Sequence, residues 1–125
     1  MKESEKLSNV LADARSLKSQ YEVSFNKINE MDQLQNDLLH KLEFKDKTAS
    51  ERGKTSTALR KCRLERRRHK ENVELLRELV EVIDSNQPMI KRLEKVLGNM
   101  RRIEETQGKR SYKPRVLTEE EYERS

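Results

Sequence analysis

Residues Leu59–Ile83 read LRKCRLERRRHKENVELLRELVEVI. Steps of three and four through this stretch select Leu59, Cys62, Arg66, His69, Val73, Leu76, Val80 and Ile83, the rhythm of one helix face. Six of these eight positions are apolar, as a helix packed on another helix requires. The other two, Arg66 and His69, sit in the middle, where a buried charge without a partner is costly. Arg60, Lys61, Arg63, Arg67, Arg68 and Lys70 crowd around them, opposed nearby only by Glu65 and Glu71. A helix that gives up packing to hold cations is expected to receive an anion.

Toward the N-terminus the same rhythm continues. Leu7, Val10/Leu11, Ala14, Leu17, Tyr21, Phe25, Ile28, Met31, Leu34, Leu38 and Leu42 hold one face with no Pro or Gly among them. Ser24 and Gln35 are polar insertions of the kind that fix register. Between these two stretches Thr48 and Glu51 have capping-box spacing, so a second helix is expected near Ala49. Gly53 and the Thr55–Thr57 stretch weaken its first turns and allow a start as late as Thr57. A short turn between two long helices predicts an antiparallel hairpin.

Toward the C-terminus, Asp84–Pro88 (DSNQP) breaks the pattern, and Pro88 suits a first helical position. A third helix then carries Met89, Ile90, Leu93, Val96, Leu97, Met100 and Ile103 on one side. Gly98 would permit a close helix contact, and Gly108 reads as the stop. The expected helices are about 5–46, 49–85 and 88–107. They form one helical domain, residues 1–108, followed by a basic extended tail, 109–125, in which Thr118 and Glu121 can cap a short terminal helix. The fold class is all-α: a long, coiled-coil-like antiparallel hairpin plus a third helix.

Composition agrees with narrow seams rather than a broad core. Of 125 residues 32% are hydrophobic and 41% charged, and there is no Trp. Such seams call for a second chain, so a homo-oligomer is expected. The net charge of +5 is uneven: residues 60–70 hold seven cations and one acid, and residues 109–115 four cations and no acid. That patchiness points to a local anionic partner. Cys62 stands alone, so no disulfide framework and no metal-ligand set can be assembled. No apolar run nears membrane-spanning length and no signal peptide opens the chain, which predicts a cytoplasmic protein with no membrane partner.

Arg60, Arg63, Arg67 and Lys70 share a stripe, with Arg66 and His69 beside it on the seam. Guanidinium forks suit paired phosphate or carboxylate oxygens. Arg63, Arg66, Arg67 and Lys70 would clamp phosphates, and His69 would hydrogen-bond the ligand. The competing account is structural: Glu30, Asp32 or Asp37 of the first helix would neutralise Arg66. In RSYKPR, Arg110–Arg115, Tyr112 can stack on a base while Arg110, Lys113 and Arg115 meet phosphates; the alternative is a plain basic tail. His40, in LLHKLEF, is a weaker candidate, and no nucleophile–base–orienter set emerges, so no enzyme and no cofactor are expected.

The motif LLHKLEF, a capped helix carrying CRLERRRHKEN, and RSYKPRVL together resemble short helical proteins encoded by tailed phages of Gram-positive bacteria. The matching positions are His40, Glu43, Arg63, Arg67, Arg68, Lys70, Glu71, Tyr112, Pro114 and Arg115, within about residues 38–117. Where that group has Asp after the Lys, this chain has Glu71. The resemblance implies a phage context, hence the host cytoplasm, and supplies no catalytic residues. By analogy of class, phages encode small basic oligomers that capture nucleotide signals of host defence. The leading expectation is therefore a non-enzymatic sponge for an anionic, nucleotide-type small molecule. An interaction module docking an acidic host protein is the alternative. Nucleic-acid binding through the Arg-rich helix comes third, since acidic flanks and mild net charge oppose it.

Overall fold

The computed structural model describes residues 2–111 and 115–123. Four helices follow one another: α1 (Glu3–Phe44), α2 (Ala49–Ser85), α3 (Gln87–Lys109) and the short α4 (Glu119–Glu123). No strand occurs among the described residues. α1 starts earlier than the apolar pattern indicates because Glu3 and Glu5 occupy its first turn, where acids favour the helix N-terminus. It ends at Phe44, where the amides of Lys45 and Asp46 both donate to the Lys41 carbonyl.

The turn to α2 is built as its sequence dictates. Thr48 accepts from the Glu51 amide, and the Glu51 carboxylate takes back the Thr48 amide, closing the capping box at Ala49. Gly53 and the Thr55–Thr57 stretch are helical, so the later start does not occur. Thr57 donates to the Gly53 carbonyl, and Thr55 is packed inside with 1% of its surface exposed.

α2 runs antiparallel to α1. Later residues of α1 meet earlier residues of α2: Cys62 Sγ donates to the Met31 carbonyl (3.3 Å), Ser24 meets His69, and Lys18 bridges to Asp84 at 2.6 Å. The α2 seam is the one the spacing predicts, with Thr55, Leu59, Cys62, Val73, Leu76, Val80 and Ile83 buried. On α1 the expected seam holds at Leu7, Leu11, Ala14, Leu17, Tyr21, Ile28, Met31, Leu38 and Leu42 and departs locally at two positions. Ser24 is buried and Gln35 half-buried, whereas Phe25 is 56% and Leu34 41% exposed. Polar groups on α2 are the cause: Ser24 turns in to satisfy His69 and Asn72, and Phe25 is left outside.

Asn86 is the single non-helical residue between α2 and α3, with φ −121° and ψ 29°. Gln87 takes the first helical position and Pro88 the second, where its missing amide costs nothing. α3 lies against the N-terminal part of α1, again antiparallel. Ser4 donates to the Glu104 carboxylate from both its amide and its hydroxyl, Arg101 reaches Ser8, and Arg15 pairs with Glu94. None of the residues of α3 is fully buried. A Cβ at Gly98 would meet open space, so no close helix contact is made there. Gly108 does not stop the helix, which continues to Lys109 with no positive φ. Beyond it, Thr118 accepts from the Glu121 amide and caps α4.

Candidate functional site

Where α1 and α2 would otherwise be greasy, they share a polar layer. Ser24, 2% exposed, lies 3.1 Å from His69 Nδ1 and accepts a hydrogen bond from Asn72 Nδ2, also at 3.1 Å. Glu65, one turn before His69, stands 3.8 Å from its Nε2. These partners are all satisfied by one proton arrangement: Asn72 donates to Ser24, the Ser24 hydroxyl donates to Nδ1, and Nε2–H faces Glu65. The row resembles a nucleophile, a base and an acid. The Ser24 hydroxyl is 2% exposed and engaged by both His69 and Asn72, and the three side chains border an open recess of about 420 Å³ with Ser16, Ser19, Gln20 and Val23.

Arg66 is drawn into the same layer and forms an ion pair through Nε with Asp32 of α1. Asp32 is one of the three acids the sequence offers for that role. Both side chains keep part of their surface in water, 30% for Arg66 and 43% for Asp32. The pair is therefore a solvated one, of modest worth.

Elsewhere in the cluster Arg68 reaches Glu65 at 4.0 Å. Arg63, Arg66, Arg67 and Lys70 of α2, with Gln35 of α1, line an open recess of about 400 Å³. Among the described residues no carboxylate forms an ion pair with Arg63, Arg67 or Lys70. Positions 63, 66/67 and 70 follow one helix face, and the antiparallel register sets Gln35 and Asp32 opposite them. Lys70 also borders a neighbouring groove of about 740 Å³. Its apolar side is Phe25, Ile28 and Val73; its polar side is Asp32, Glu74 and Arg77. Cations thus lie beside an exposed aromatic ring along one side of the hairpin.

The other candidate cations lie elsewhere. Arg110 follows α3, whose end packs on the start of α1 through Glu104 and Ser4, while Arg66 packs on Asp32. At a rise of about 1.5 Å per residue, the 28 residues between Ser4 and Asp32 separate these regions by about 40 Å. Arg115 is at most about 18 Å of chain from Arg110, so neither reaches the recess within one chain. Tyr112 and Lys113 lie outside the described residues. His40 is exposed and stacks on Phe44, with ring centroids 5.8 Å apart.

Comparison of the chain with protein-family models, with curated proteins and with solved structures gave no match. Geometry alone therefore carries the reading. Among the described residues no group of His, Cys, Asp and Glu is arranged to hold a metal ion, and no helix is long and apolar enough to cross a membrane. Reading α2 alone leaves Ser24, Asp32 and Gln35 out of the site. Their signal lies in the pairing of the helices: polar residues of α1 at seam spacing, set opposite the polar middle of α2.

Proposed function

We propose that this protein is a non-enzymatic binder that captures an anionic, phosphate-bearing ligand in the recess between Gln35 and the Arg63–Lys70 face. The observation that carries this reading is the convergence of Arg63, Arg67 and Lys70, none with an ion-pair partner among the described residues, beside an Arg66 fixed by Asp32. Phosphate oxygens would take the guanidinium forks of Arg63 and Arg67 and the Lys70 ammonium. A base or similar flat ring would rest on Phe25, Ile28 and Val73 in the adjoining groove. His69 keeps its Ser24 partner and acts behind the recess rather than on the ligand. Capture without turnover, in an oligomer, is the behaviour of a sponge for a nucleotide signal, in keeping with the resemblance to phage proteins.

Isothermal titration with ADP, a cyclic dinucleotide and inorganic pyrophosphate tests this reading. A Kd tighter than about 100 µM for at least one of them, lost in Arg67→Gln/Lys70→Gln, is expected. Absence of heat from all three, or heat unaffected by the double substitution, refutes it. A second reading rests on how open the recess is: Arg60, Arg63, Arg67 and Lys70 form an outward stripe that fits an acidic protein surface equally well. One stoichiometric host protein retained at moderate salt, with no small-molecule heat, would favour it.

A further inference from the structure

α2 and α3 together carry three parallel rows, each offset from the next by one residue. The first faces α1: Leu76, Val80 and Ile83 are buried, Gln87, Ile90 and Leu97 half-buried, and Glu94, Arg101 and Glu104 bond to α1. This row crosses Asn86 without losing step, so the rows beside it also continue from α2 into α3.

One residue earlier runs a second row: Leu75, Leu79, Val82, Asn86, Met89, Leu93, Val96, Met100 and Ile103. Its spacing alternates four and three throughout, the heptad pattern of a helix that meets another helix. It is uncovered. Leu75 is 75% exposed, and Val82, Met89, Val96 and Ile103, each seven residues on, are exposed as well. Asn86 is the one polar member.

The third row borders the second on the side away from α1, and its charges are segregated. Glu71, Glu74, Glu78 and Glu81 fill its α2 half; Arg92, Lys95 and Arg102 fill its α3 half. All seven are exposed, and none has an ion-pair partner among the described residues. The change of sign falls at the Asn86–Gln87 joint, near the middle of the apolar row. A surface that is acidic on one side of its midpoint and basic on the other is complementary to itself when turned end for end.

We infer that this face is an interface between two copies of the chain, which pair antiparallel about a two-fold axis near Asn86–Gln87. The acidic half of each copy then lies along the basic half of its partner, and the apolar rows close over about 40 Å of helix. Parallel pairing would set acid against acid and base against base, at a cost. This inference rests on the reading that the chain self-associates, and it shares no residue with Arg63, Arg67 or Lys70.

Light scattering and sedimentation of the full chain test it through charge reversal. Wild type is expected to be dimeric. Glu78→Lys/Glu81→Lys and Arg92→Glu/Lys95→Glu should each weaken the dimer by about tenfold or more, and the fourfold combination should restore it. Restoration also shows that the reversals leave the fold intact. A chain that stays monomeric at about 100 µM overturns self-association itself. A dimer indifferent to either half-reversal keeps self-association and overturns the antiparallel pairing through this face.

Discussion

Replacing Ser24 by Ala removes the oxygen that His69 and Asn72 share inside the hairpin. Two effects oppose each other. Ala is the better helix former, by up to about 0.7 kcal/mol. Against that, a buried partner left without its hydrogen bond costs about 1–3 kcal/mol. The His69 side chain is only 14% exposed, so water replaces its lost bond poorly, whereas half-buried Asn72 recovers part of its own. The hydrogen-bond loss wins, with a net destabilisation of about 1–2 kcal/mol. With an unfolding entropy of about 2.1 cal/mol/K per residue, this chain length turns each kcal/mol into about 4 °C, so Tm should fall by about 4–8 °C. Circular dichroism melts at one fixed protein concentration measure it, because self-association makes Tm concentration-dependent. Ser16→Ala, at an exposed α1 position, is the control and should melt at or slightly above wild type. If Ser24→Ala melts no lower than Ser16→Ala, the polar layer is not holding the helices in register.

Two further outcomes follow from the same geometry. Asp32→Asn removes the one acid held against Arg66 at the recess; a unit charge about 8 Å from a bound phosphate is worth about 1–2 kcal/mol after screening, so pyrophosphate affinity should rise about five- to thirtyfold in titration. The exposed character of that ion pair limits the accompanying loss of stability to about 1 kcal/mol, and unchanged or weaker affinity in a folded variant would count against the recess. For Cys62, burial pushes the thiol above its ordinary value of 9.0, with Glu65 and Asp32 adding to the rise. The folded state therefore prefers the neutral thiol, so its contribution to stability is intact below pH 9.0 and declines as pH climbs beyond it, which urea melts from pH 8 to 10.5 should show for wild type against Cys62→Ala. A thiol that Ellman's reagent titrates as fast in native protein as in urea would contradict that burial.

The helices were legible because their signals are local. The Thr48–Glu51 box and the three–four rhythm of α2 are written within a few residues, and the structure follows both. The phase of α1 was legible too, from Leu7 to Leu42, except at two positions: apolar content favours Phe25 and Leu34, while the hairpin turns in the polar insertions Ser24 and Gln35. At Ser24 that choice is set by His69 and Asn72, residues far away in sequence, and only pairing the two helices exposes it. The same holds for Arg66. Three acids of α1 stand within the reach of a register slip, and the fold picks Asp32. Gly98 and Gly108 misled for the opposite reason: a glycine permits a close approach or a helix end without requiring either.

The joint at Asn86 leaves the chain with two unequal grips on α1. α2 holds it through a continuous buried seam, whereas α3 holds it through surface side chains and half-buried apolar groups. A separation that begins at the Lys109 end can therefore run back to Asn86 and stop there, with the hairpin still closed. Amide protons of α3 would then exchange through this partial opening, while those near Val73 and Leu76 wait for the whole molecule to come apart. Whatever covers the outer side of α3 thus sets the lifetime of that opening, and slowed α3 exchange would report its arrival.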